Sequence, residues 1–176
     1  IGVQSEHADP VFRYYSEPDN SKRSFVPVTV KPSVAQAAMI GNPVSMPRVI
    51  AIAQRYNEIA DQNKVFVVQV REQDIMDCTL EANRNGHIAC TQGGESLAGL
   101  YRAMEQKLID DCDCAILDST AHIIKFSGFQ ELYYNHELQN HYNIKSHNDL
   151  INHPILIMPD NPEKIPAQGK PLSESE

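Results

Sequence analysis

Between residues 65 and 120 three short apolar runs, VFVVQV (65–70), HIAC (87–90) and CAILDST (114–120), alternate with two segments of helix length. No other feature limits the fold as strongly. Compact β-branched runs are of strand length, and intervening helices of ten to fifteen residues return the chain for a parallel neighbour. The predicted class is therefore α/β, a mostly parallel sheet flanked by helices, with VFVVQV as a central strand. Ile1 to Val3 predict another short buried strand. FVPVTVKP (25–32) predicts an edge strand, because Pro27 removes a ladder donor.

The helices carry their own punctuation. Ser33 is a capping residue for VAQAAMI, which Gly41 and Pro43 stop. Ser45 caps the next helix, with Pro47 in the first turn, where a missing N–H costs little. Val49, Ile52, Ala53, Tyr56 and Ala60 fall on one apolar face of it. Asp74, or Gln73 before it, opens a helix through Asn83 that buries Ile75, Cys78 and Leu80 or Ala82. Leu97, Leu100, Met104 and Leu108 fall at helical spacing in the segment after GGES. Residues 15–24 read as a surface loop. Phe126, Phe129, Tyr133 and Tyr134 are expected to pack the last ordered segment onto the sheet.

With 176 residues, 41% of them hydrophobic, the chain has enough for one sizeable core. The pattern decays after Asn135, which divides the chain into a folded region, 1–134, and a polar extension, 135–176, ending in a disordered tail. The net charge is −8, and the 15 Lys and Arg are scattered with no run longer than Lys22-Arg23, so nucleic acid is excluded as a partner. No apolar stretch approaches a membrane span and no signal segment opens the chain, so no membrane partner is expected. Cys78, Cys90, Cys112 and Cys114 have no disulfide-framework spacing and read as reduced thiols, which predicts a cytoplasmic protein. Cys112-Asp113-Cys114 lacks a second pair, and His136, His141, His147 and His153 lie five or six residues apart, off helical metal-pair spacing; no metal is expected. Ile1 begins inside a strand without a preceding Met, so the chain is expected to be a piece of something longer.

In open α/β sheets, ligands sit beyond the carboxyl ends of the strands. Two strand-to-helix junctions stand there. In CTQGGES, Thr91, Gln92, Gly93 and Gly94 would let the backbone approach a ligand, and the helix that follows offers free N–H groups. A Gly-Gly pair before a helix is more often only a tight turn, and the spacing is that of neither a P-loop nor a dinucleotide fingerprint. In ILDSTAHIIKF (116–126) the hydroxyls of Ser119 and Thr120 end a strand. Hydroxyls there commonly cap the next segment, and His122 alone is more often structural than catalytic.

Taken in order, several stretches resemble threonine synthase, of the fold type II (tryptophan synthase beta-like) pyridoxal phosphate enzymes. They are IGVQSEHADPVFR, SVAQAAMIGNPVSMPRVI, QDIMDCTLEANRNGHIACTQGGESLAGLYRAM and ILDSTAHIIKF, which together span roughly residues 1 to 130. The last is similar to the family's Ser-Thr-Ala-His-x-x-Lys-Phe signature. The resemblance implies pyridoxal 5'-phosphate as cofactor, with Thr120, and Ser119 adjacent, beside its pyridine nitrogen. A hydroxyl need not protonate that nitrogen as a carboxylate does, which leaves a milder electron sink. Thr91, Gln92, Gly93 and Gly94 would wall the substrate site. The implied reaction is hydrolysis of O-phosphohomoserine, an amino-acid phosphate, to threonine and phosphate.

The family's Schiff-base lysine lies in an N-terminal motif, and none of Lys22, Lys31, Lys64, Lys107, Lys125, Lys145, Lys164 or Lys170 has that context. The phosphate-cradling loop is missing as well. The resemblance is therefore to the C-terminal half, inactive alone, with the N-terminal half of the same enzyme as partner and a homodimer as the family's common assembly. Two departures, the absence of proline in CTQGGES and Asp118 in place of an apolar residue, leave open a cysteate-synthase-like or other replacement enzyme. A free-standing α/β binding module is the alternative from a different class.

Overall fold

A computed structural model describes residues 1–152. Among them, β1 (Gly2–Ser5) and β2 (Val67–Val70) form one two-stranded parallel sheet, with Val3 opposite Val68 and Ser5 opposite Val70. The helices are α1 (Pro10–Ser16), α2 (Met46–Ala60), α3 (Glu72–Arg84), α4 (Thr91–Glu105), α5 (Ser127–Tyr134) and α6 (Gln139–Tyr142). The fold is α/β with a small parallel sheet, in keeping with the predicted class.

The sheet is smaller than the sequence predicts, and each shortfall has a local cause. HIAC contributes only an isolated antiparallel bridge between Ala89 and His122. CAILDST forms no strand: Ile116 is 95% exposed, and a β-branched run without a partner cannot satisfy its backbone as a ladder. FVPVTVKP is likewise irregular, held by single bonds such as Val28 N–H to the Gly41 carbonyl at 2.9 Å. VFVVQV is thus one of two strands and not the centre of a wide sheet. Ile1, expected to be buried, is 53% exposed, and burial of β1 is complete only at Ser5.

The core forms where α3 and α4 pack together over the sheet. Ile75, Met76 and Leu80 of α3 are buried, with Cys78 and Ala82 beside them, and Ala98 and Ala103 face them from α4. On α4, Ala98 is 4% exposed and Met104 42%, while Leu97 is partly buried against the core. Small residues won the position because the helices lie close. A Cβ on Gly94 would run into Thr79 Oγ1 and lie 2.6 Å from the Ile75 carbonyl oxygen.

α3 opens at Glu72, slightly earlier than expected. Arg71 sits at the cap, where Asp74 takes bonds from its guanidinium at 2.5 and 2.8 Å. Ser45 does stand at the cap of α2 with Pro47 following, but its side chain makes no capping bond. Ser33 accepts from Ala35 N–H at 3.0 Å, and only one 3-10 turn (Gln36–Ala38) follows in place of the longer helix.

Buried polar groups tie these elements together. Glu72 accepts from Ser5 Oγ and, at 2.7 Å, from Val34 N–H, joining α3 to β1 and to the 33–38 segment. Asp9 accepts from Gln69 Nε2 at 2.7 Å and Arg13 Nε at 2.9 Å, joining α1 to β2. Tyr133 is fully buried in the core cluster, and its hydroxyl donates to Asp77 of α3 at 2.7 Å. Leu138, Ile144 and Ile151 join the same core, although the stretch after Asn135 reads as a polar extension. The expected disordered tail lies outside the described residues. No helix among the described residues is long and apolar enough to cross a membrane.

Candidate functional site

The two junctions singled out in the sequence, about thirty residues apart, meet at the start of α4. Cys90 N–H donates to the Ala121 carbonyl at 2.9 Å, and Cys90 Sγ lies 3.4 Å from Thr120 Oγ1. Ser96 Oγ donates to the Asp118 carbonyl at 2.8 Å. A Cβ on Gly93 would sit 2.9 Å from the Ser119 carbonyl oxygen, so this glycine lets the 118–121 backbone lie directly on the helix.

CTQGG is not a turn before the helix, because Thr91 through Gly94 already form the first turn of α4. Thr91 is fully buried, and Gly94 backs onto α3. Gln92, with its carboxamide oxygen turned to the 33–38 segment, accepts from Ala37 N–H at 2.9 Å and Gln36 N–H at 3.2 Å. That contact fixes the 3-10 turn against α4.

Thr120 has a φ of +52°, a left-handed conformation that β-branched residues rarely take. Asp118 Oδ1 holds its N–H at 2.9 Å, and Ala121 N–H returns to the Ser119 carbonyl at 2.7 Å. Strain of this kind costs on the order of 1–3 kcal/mol and persists where the surroundings over-determine it. The Cys90 thiol beside it is buried. Burial pushes that thiol up, but the Thr120 hydroxyl and the N–H groups of Gly93, Ala121 and Gln92 pull harder, leaving it below its ordinary value.

A cavity of about 640 Å³ opens beside this junction, between β1, α4 and the extended 115–118 segment. Val3, Gln92, Glu95, Leu100, Ile116 and Thr120 are among its walls. Of the six residues named from sequence, Gln92 and Thr120 border this cavity. Thr91, Gly93 and Gly94 lie in the packing behind it, and Ser119 contributes its carbonyl to the junction.

Glu95 was not foreseen. It is 6% exposed, and burial raises its carboxyl to about 7 against the pull of the Ser5 N–H, with the Glu72 charge adding to the rise. Its signal in the sequence is a charge three residues from Gln92 and three from Ala98, on a helix face otherwise made of small residues. Among the described residues no cluster of three or more His, Cys, Asp or Glu is arranged to hold a metal ion. Cys112 and Cys114 are exposed free thiols.

No protein-family model matches the chain. Among curated proteins, threonine synthase 2, chloroplastic, of Arabidopsis thaliana is similar, 28% identical over 127 residues. That match takes in 72% of this chain and 23% of the relative, so the chain spans about a quarter of the relative's length. The likeness is to a threonine synthase at a distance.

Proposed function

We propose that this chain is the C-terminal portion of a threonine-synthase-like, fold type II pyridoxal-phosphate lyase, acting on O-phosphohomoserine and water to give threonine and phosphate. One observation carries the reading. Gln92 and Thr120, distant in sequence and both assigned to the site by the resemblance, border one cavity. The similarity to a threonine synthase supports it independently.

The residues fit the ring of the cofactor better than its phosphate. Thr120 lies at the wall of a cavity roomy enough for a pyridine ring, with aliphatic side chains at Val3, Leu100 and Ile116. None of the lining side chains is a Lys, Arg or His, and on this reading the phosphate and the Schiff-base lysine are supplied by an N-terminal portion. Bound pyridoxal phosphate supplies an electron sink for charge developing at the substrate's Cα.

The chain's own part is to position. The Asp118 turn aims the Thr120 hydroxyl, which serves the pyridine nitrogen as a hydrogen-bond partner without a full charge. Gln92 anchors the 33–38 segment that closes one side. Asp118, which departs from the family pattern, is occupied in holding Thr120 N–H and so has a structural reason to be polar.

The test is borohydride reduction of the natively purified protein with peptide mass analysis. A pyridoxyl adduct on a lysine upstream of Ile1, or on an associated chain, is the expected result. Its absence from every associated polypeptide would turn the reading toward a binding module. In the assembled enzyme, Thr120→Val is expected to lower activity and shift the cofactor absorption band; an unchanged band and rate would remove Thr120 from the pyridine nitrogen.

A further inference from the structure

The cavity beside α4 holds a carboxyl group that nothing in the proposed function uses. Glu95 borders it, is 6% exposed, and among the described residues is met by the Ser5 backbone N–H but by no side-chain donor or cation. An ionised carboxylate has about four acceptor positions, and only the backbone N–H of Ser5 faces this one. Leaving a charge buried without a partner costs several kcal/mol in general, so such groups are either neutralised or matched by a ligand. The lining residues include a second acid, Asp118, and no cationic side chain. Leu100 and Ile116 border it as an apolar wall.

We propose that this cavity binds the positively charged nitrogen of its ligand, an ammonium group held by the Glu95 carboxylate with the ligand's aliphatic carbons against Leu100 and Ile116. Phosphate is disfavoured at this wall by two acids and the lack of a cationic side chain. The ammonium site rests on Glu95 and its surroundings and not on the function proposed above.

The charges around Glu95 make binding depend on pH. Glu72 of α3 faces it and opposes its ionisation, with His7 Nδ1 3.7 Å beyond at Glu72 Oε1. Asp118 borders the same cavity from the 115–118 side, and β1 presents only the Ser5 N–H. The carboxyl, held at about 7, is mostly ionised at pH 8 and almost wholly protonated at pH 5. An ammonium ligand should therefore bind at least about tenfold more weakly at the lower pH.

The experiment is an NMR titration of the full isotope-labelled chain with n-butylammonium, n-butanol and inorganic phosphate. Butylammonium at pH 8 is expected to shift the amides of Ser5, Glu95 and Ser96 saturably. Butanol should bind at least about tenfold more weakly, and so should butylammonium to Glu95→Gln. Phosphate should leave those amides unmoved. Equal affinity for butanol, no loss at pH 5, or phosphate binding at these amides would overturn the site, and the pH comparison on the unaltered chain decides it even if the variant fails to fold. Saturable butylammonium binding without a pyridoxyl adduct would keep this inference and remove the proposed function; an adduct without ammonium binding would do the reverse.

Discussion

α2 and the α3–α4 pair have similar amphipathic patterning and opposite fates. On α2, Val49, Ile52, Tyr56 and Ile59 are 41–74% exposed, and only Met46 and Ala53 are buried. On α3, Ile75, Met76 and Leu80 are almost wholly enclosed. The difference lies in what each helix meets. α3 and α4 each present small residues (Thr79, Gly94, Ala98) that let the backbones close together, and Glu72 clamps α3 to β1 and to the 33–38 segment. α2 has no such clamp, and its apolar stripe faces outward. Periodicity reports that a face is apolar; it does not report what covers it.

The sharpest way to break the comparison is a pair of truncations. Leu80→Ala should cost about 2–5 kcal/mol in urea unfolding, whereas Ile52→Ala should stay within about 0.5 kcal/mol. Equal costs would mean that α2 is packed in solution.

Glu95 sharpens the contrast next. Its carboxyl sits at about 7 when folded and near 4.5 when free, so the folded state keeps a proton that the unfolded state releases. That contribution is fully present below about pH 4.5 and is lost as pH rises through 7, by up to about 3 kcal/mol. Glu95→Gln should therefore match the parent at pH 4 and exceed its stability at pH 8. A pH-independent difference would show that the carboxyl is not held neutral by burial.

Gly94→Ala tests the close approach itself. With Thr79 and the Ile75 carbonyl in the way, it should cost about 1–3 kcal/mol, and a neutral result would mean the helices are looser than described. The smallest effect is expected at Thr120→Gly, which relieves the positive φ and should stabilise by up to about 1 kcal/mol in thermal unfolding. Destabilisation there would show that the hydroxyl's contacts outweigh the strain.

Two residues that border the cavity, Gln92 and Thr120, stand out in the sequence, but their assembly does not. The hydroxyls of Ser119 and Thr120 and the polar-glycine run after Cys90 stand out as residue types in a local pattern. That they touch through Cys90–Thr120 and Gly93–Ser119 is a long-range fact with no local trace. Glu95 was obscured by Leu97 and Leu100, which mark a louder stripe on the same helix. The aromatic cluster was recognised, yet Tyr133 found its partner in Asp77 of α3 and not in the sheet.

The sequence by itself determined where helices form at α2, α3 and α4 and where β-branched runs extend at β1 and β2. Propensity, capping and Pro or Gly punctuation act within a few residues of one another. Only the tertiary structure decided which runs became strands, which helical faces were buried, and that the Glu95 carboxyl lies at one wall of the cavity. Strand pairing needs a partner's backbone from elsewhere in the chain. CAILDST has none among the described residues, and so Ile116 stands in solvent at the edge of the site.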